Sequence, residues 1–169
     1  HSNEYKEPVP LPYPVNTKGA EDSSFIIPNG NTLYVWFTPS SSIDVTKQVI
    51  DKVTGIYEFK KQGDSWSNAK RIWFVKPGKP NLDGCGYFGN NKAWICGVRE
   101  GYEGIHWFTS EFDNVKWSYA EINDFNKDME VGELDFYENK LYYHSSRSGG
   151  KGSYDIWVSE NINGKWQEP

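Results

Sequence analysis

A pattern of four short strands recurs along this chain, and such recurrence limits the fold before any single residue is weighed. It is clearest from Val131 to Pro169, VGELDFYENKLYYHSSRSGGKGSYDIWVSENINGKWQEP. Glu133 to Tyr137 reads as a strand, and Glu138-Asn139-Lys140 turns it. Leu141 to Ser145 is rich in aromatics, as strands are. The loop Ser146-Arg147-Ser148-Gly149-Gly150-Lys151-Gly152 holds too much glycine to be regular. Tyr154 to Ser159 alternates in the period-two manner of a third strand. Asn163-Gly164 is a strong signal for a tight hairpin, and Lys165-Trp166-Gln167 begins a fourth strand that Glu168-Pro169 closes.

The unit returns at Asp83–Asn123 and at Glu21–Ile72. Tyr34, Trp94 and Tyr142 hold one equivalent place; Tyr57, Trp107 and Trp157 hold a second, fifty residues apart each time. Trp66, Trp117 and Trp166 hold a third, spaced 51 and then 49. Arg99 matches Arg147, while the first copy has Pro39 there. The expectation is an all-β domain over residues 1–169, built of about three four-stranded antiparallel blades of propeller type, with repeats at 21–72, 83–123 and 131–169. The arm 1–20, with Pro8, Pro10, Pro12 and Pro14, is no helix and at most an edge strand. Its Lys6-Glu7-Pro8-Val9 repeats the flavour of Gln167-Glu168-Pro169, so it reads as the end of a blade.

Within the first copy, Ser24 to Ile27, Thr32 to Phe37, Gly55 to Lys60 and Lys70 to Val75 are the expected strands. Thr38 to Val53 is an insertion in which a short helix is expected, with Ser42 or Asp44 as its N-cap. In the second copy a hairpin at Gly89-Asn90-Asn91-Lys92 pairs Phe88 with Ala93, and the same register sets Cys85 opposite Cys96. Directly opposed residues stand about 4.5–5.5 Å apart, within bridging reach. Two readings stand: a disulfide, which requires an oxidising compartment, or two reduced thiols packed as small hydrophobes.

Several quoted runs resemble a known family. Ser145-Ser146-Arg147-Ser148-Gly149-Gly150, Tyr154-Asp155-Ile156-Trp157-Val158-Ser159, Asn163-Gly164-Lys165-Trp166 and Glu168-Pro169 resemble the WD40-like Pro-Asp (PD40) β-propeller repeat of TolB-type proteins. Pro28-Asn29-Gly30-Asn31-Thr32-Leu33-Tyr34 is similar to that family's Pro-Asp-Gly-x-x-Leu-Tyr hairpin, with Asn29 in place of the Asp; the other two copies lack the Pro-Asp-Gly. The resemblance implies a propeller of five to seven blades in a secreted, periplasmic or cell-surface protein. With three blades in hand, the expected arrangements are a fragment of a longer propeller, then two copies closing a six-bladed ring, then an open arc.

In a propeller the innermost strands converge on the axis. Glu21, Asp22, Asp83, Glu133 and Asp135 lie near those strands and are the candidate ligand-binding carboxylates. Arg99 and Arg147 are candidates at a pocket mouth, and Trp36 and Tyr102 are candidate sugar platforms, along with Trp94, Trp107 and Tyr142. His106 and His144 read as packed strand residues. Signatures of nucleophile elbows, zinc proteases, phosphate loops and dinucleotide sites do not occur. The sialidase Asp-box does not occur either: Ser110 to Trp117 has Asp113 and Trp117 at the wrong spacing. Two cysteines without a nearby histidine pair argue against zinc, and no cofactor is expected. A net charge of −5 argues against nucleic acid, and no apolar run nears the about 20 residues of a membrane helix. No signal peptide is legible. The expectation is a non-catalytic module binding a glycan or a protein; the alternative is a glycoside hydrolase-like propeller using a pair of inner-strand carboxylates.

Overall fold

The computed structural model describes residues 4–76, 78–89, 91–102, 104–122 and 131–169. His1 to Asn3 of the arm, Pro77, Asn90 of the expected hairpin, Glu103 and the end of the second repeat at Asn123 lie outside the described residues.

The chain is all-β in three antiparallel sheets, each made from one repeat. Blade 1 holds β1 (Ala20–Ile26), β2 (Thr32–Thr38), β3 (Gly55–Gln62), β4 (Ser65–Trp66) and β5 (Lys70–Arg71). Blade 2 holds β6 (Asn81–Gly89), β7 (Lys92–Arg99), β8 (His106–Glu111) and β9 (Glu121–Ile122). Blade 3 holds β10 (Val131–Tyr137), β11 (Lys140–Ser145), β12 (Asp155–Ile162) and β13 (Lys165–Trp166). Blades 2 and 3 are meanders in chain order, which short turns permit, and blade 1 runs β1-β2-β3-β4 with β5 pairing back on β3. Asn163 and Gly164 both have positive φ, as a two-residue hairpin that follows strand twist demands. The inner strand β6 lies beside both β1 and β10.

Alternation along the strands gives every blade two faces. One face of blade 1, with Tyr34, Ile56, Trp36 and Phe25, packs on Phe88, Ala93, Ile95 and Trp117 of blade 2. The corresponding face of blade 2, with Trp94, Cys96, Trp107 and Tyr87, packs on Leu141, Tyr143, Leu134 and Phe136 of blade 3. Aromatic rings bridge the inner strands: Phe25 to Tyr87 at 4.9 Å and Tyr87 to Phe136 at 4.7 Å. The remaining face of blade 1, with Leu33, Val35, Phe59 and Trp66, is closed by Val15 from the N-terminal arm.

The register bears out two of the repeated landmarks. Tyr34, Trp94 and Tyr142 stand opposite Phe25, Tyr87 and Asp135 on corresponding faces. Trp66, Trp117 and Trp166 stand opposite Lys61, Phe112 and Asn161. The fifty-residue spacing misleads for Trp107. Tyr57 faces Val35 and Trp157 faces Tyr143, but Trp107 faces Cys96 and Phe108 takes the equivalent place opposite Ile95. One residue of slip sends a side chain to the other face of a sheet, so Trp107 packs toward blade 3.

Each inner strand carries an irregularity that the sequence did not announce. The register shifts between Asp22 and Phe25, between Asp83 and Gly86, and between Val131 and Leu134. Two residues then oppose one, the signature of a bulge. Cys85 sits in the second of these, and the disulfide reading holds: Cys85 and Cys96 are bonded with Cα atoms 5.2 Å apart. The pairing of Phe88 with Ala93 is as expected.

Two elements are shorter than expected. The insertion forms a single helical turn, α1 (Val45–Gln48), with Asp44 rather than Ser42 as N-cap, accepting from Thr46 N. It stops there because its apolar residues Val45, Ile50 and Val53 are exposed, so no core holds a longer amphipathic helix. The fourth strand expected at Lys70–Val75 pairs with β3 only at Lys70–Arg71. Beyond it Phe74 leaves the sheet, is fully buried against blade 2, and accepts a backbone bond from Ala120 N.

Candidate functional site, a groove between blades 1 and 2

An open groove of ≈ 1020 Å³ lies where the outer strands of blade 1 meet the β8–β9 connection of blade 2. Blade 1 contributes Glu58, Lys60, Lys70, Arg71, Ile72 and Trp73, and blade 2 contributes residues 111–119.

Local rules place these groups. Glu58 and Lys60 alternate on β3 and so project to one side. The Glu58 carboxylate accepts from Tyr34 Oη at 3.0 Å and pairs with Lys60 Nζ at 3.1 Å. It is buried, so these two partners take the place of water around its charge. Burial, and then the nearby Glu58 charge, push the Tyr34 hydroxyl well above the usual tyrosine range. Lys60 also donates to Thr32 Oγ1 at 3.1 Å, which fixes its stem.

Arg71 lies over the Trp73 ring, guanidinium carbon to centroid 3.9 Å. Gly55 makes this possible: a Cβ there would come 2.8 Å from Arg71 Nη2, and its φ of +153° suits glycine. Nε and Nη1 of Arg71 are buried without a hydrogen-bond partner among the described residues.

Across the groove, the blade 2 wall is a turn built by Asp113. Its Oδ1 accepts from Val115 N at 2.9 Å and Lys116 N at 2.8 Å, and these bonds hold its carboxyl below the usual carboxylate range. The Phe112–Trp117 bridge and Ser110 Oγ, donating to Ser118 O at 2.8 Å, close the turn. Tyr119 is half exposed at its end. The groove thus joins aromatic surface (Trp73, Trp117, Tyr119) to charged groups of both signs.

The residues expected from the sequence are distributed elsewhere. Asp83 and Arg99 form a buried ion pair at 2.5 Å, and Arg99 also lies over Phe108, 4.5 Å to the centroid. Arg147 repeats this at the equivalent place: it lies over Trp157 at 5.3 Å and donates to Tyr143 Oη at 3.0 Å. Both arginines therefore brace their own blades. Glu21 accepts from Thr17 N and Oγ1 beneath the arm, where it and Asp22 line a recess of ≈ 330 Å³. Asp22 and Asp135 each accept from the next backbone N–H, and Glu133 is exposed on its bulge. Trp36 is packed between blades 1 and 2. Tyr102 stands with Arg99 and Phe108 beside a separate recess of ≈ 300 Å³. Among the described residues, no group of three or more His, Cys, Asp or Glu side chains is arranged to hold a metal ion.

Sequence reasoning missed Glu58, Arg71, Trp73 and Tyr119. The available signal was the Arg71-Ile72-Trp73 run, a cation two positions before a tryptophan, which on extended backbone places both side chains on one side. No family model matches the chain, and no curated protein or solved structure does either.

Proposed function

We propose that this chain is a non-catalytic binding module of PD40-like propeller type that takes an oligosaccharide in the groove between blades 1 and 2. The observation that carries the reading is the open groove of ≈ 1020 Å³ whose lining includes both the Arg71–Trp73 stack and the Asp113 turn. Sugars present apolar C–H faces to aromatic rings and hydroxyls to charged or amide groups, and this groove offers both. The glycosidase alternative relies on paired inner-strand carboxylates free to act. Asp83 is engaged by Arg99, and Asp22 and Asp135 by backbone N–H groups, which favours binding over hydrolysis. The disulfide fits a secreted, periplasmic or cell-surface setting.

The test is a glycan array followed by calorimetry on Trp73→Ala and Tyr119→Ala. A retained oligosaccharide whose affinity drops about tenfold or more in both variants supports the reading. Failure to retain any glycan sinks the saccharide assignment. Release of new reducing ends from a bound oligosaccharide sinks the non-catalytic one.

A further inference from the structure

We propose that the saccharide of the groove carries a carboxylate or sulfate group and that Arg71 receives it; the proposal rests on the groove reading above. The chain has three arginines, one in each blade, and each lies over an aromatic ring. Two of them have a carboxylate of their own. Arg99 pairs with Asp83, and Arg147 with Glu168 at 3.6 Å. Arg71 has no such carboxylate among the described residues, and of the three it is the one that lines the groove. Its charge is closed off on the protein side. Nε and Nη1 are buried without a hydrogen-bond partner among the described residues, the Trp73 ring lies against the guanidinium, and the Tyr57 hydroxyl beside it is neutral. A half-buried guanidinium with unmet donors gains most from an anionic acceptor, and the groove is where one can reach it.

The other charges of the groove do not cancel it. The lining holds four cations and three carboxylates, in a chain whose net charge is −5. Glu58 is taken up by Lys60 and by the Tyr34 hydroxyl. Asp113 is held by two backbone N–H groups, with the Lys116 charge nearby. That leaves Lys70 and Arg71, adjacent on β5, against Glu111 of blade 2. A uronic acid or a sulfated sugar matches both features of this wall, with a C–H face for an aromatic ring and an anion for the guanidinium. A neutral sugar matches the first alone.

In the experiment the full chain meets a glycan array that prints neutral, carboxylated and sulfated forms of the same backbones. Retained glycans then go to calorimetry with the parent, Arg71→Gln and Lys70→Gln. The acidic form is expected to bind about tenfold tighter than its neutral counterpart, and more weakly as salt rises. Arg71→Gln abolishes this preference and leaves the weaker binding of the neutral form unchanged. Lys70→Gln, at an exposed position, flattens the salt dependence. Retention of carboxylated forms alone supports the proposal with a uronate as ligand, and of sulfated forms alone with a sulfate ester. A neutral glycan bound as tightly as its acidic counterpart overturns the proposal and leaves the groove reading standing, whereas retention of no glycan removes both. A folded Arg71→Gln protein that keeps the preference also overturns it. If that variant does not fold, the parent decides: binding of the acidic form that is indifferent to salt overturns the proposal.

Discussion

The Tyr34 ring lies flat on the Phe88 ring, centroids 3.8 Å apart and planes within 9°, and through this stack blade 1 grips blade 2. The same tyrosine donates to Glu58 at the groove floor, so the inter-blade core and the candidate site share a residue. Phe88 also meets Phe25, Phe74 and Trp117. Phe88→Ala removes the centre of this cluster and is expected to cost about 3–5 kcal/mol in urea unfolding. Tyr34→Phe keeps the ring and removes the hydroxyl. Its expected cost is about 1–3 kcal/mol, with a loss of glycan affinity as Glu58 shifts. If Tyr34→Phe leaves both stability and binding untouched, Glu58 is not positioned by this tyrosine.

The Asp83–Arg99 pair gives a sharper contrast. Both side chains are buried, so removing one strands the charge of the other. Asp83→Ala is expected to destabilise by about 3–5 kcal/mol, and Asp83→Ala combined with Arg99→Met by less than the single change. Glycan binding by the folded Asp83→Ala protein should match the parent, since the pair lies outside the groove. Lost binding at full folding would move the site to the axial region.

The contrast between these two sites shows what the chain betrays in its sequence. Trp66, Trp117 and Trp166 were legible because each follows its strand at a turn of constant length, and the turn fixes the register. Cys85 and Cys96 were legible for the same reason, by counting back from the Gly89–Lys92 hairpin. Trp107 was not: its strand runs one residue out of step with the other two, and spacing alone cannot reveal a flip between faces. The inner-strand carboxylates were legible as positions but not as partners, because backbone N–H groups and Arg99 come to them through bulges and loops. The groove was the least legible part. Its walls come from two blades, and its Arg71–Trp73 wall lies where the expected fourth strand peels away from β3.

The disulfide closes a short loop, with the cysteines 11 residues apart, so it restricts the unfolded chain only modestly. Chain-entropy reasoning gives about 2–3 kcal/mol for a loop of this size. The paired change Cys85→Ala and Cys96→Ala should lower stability by that amount or somewhat more, because Cys96 also packs on blade 3. Blade order should survive, since Trp94 and Trp107 remain. The check is thermal unfolding with and without reductant, compared with the double variant. Reductant that leaves the melting temperature unchanged would show that the bond adds nothing.

The buried tyrosines set the alkaline limit of stability. Burial raises Tyr34, Tyr57 and Tyr143 above the ordinary value of 10.0 in the folded chain. The same groups ionise near 10.0 once unfolded, so above that pH the unfolded state loses protons that the folded state retains. Their contribution is therefore complete below pH 10 and is lost progressively as pH rises toward the folded values. Ionisation of these three buried tyrosines should accordingly appear as a cooperative rise in tyrosinate absorbance that coincides with loss of the aromatic circular dichroism. Tyr34→Phe should shrink the cooperative step and soften the fall of stability above pH 10. Smooth, non-cooperative titration of every tyrosine would mean that the blade 1–blade 2 core opens without unfolding, and the Tyr34–Phe88 stack could not then be what holds the two blades together.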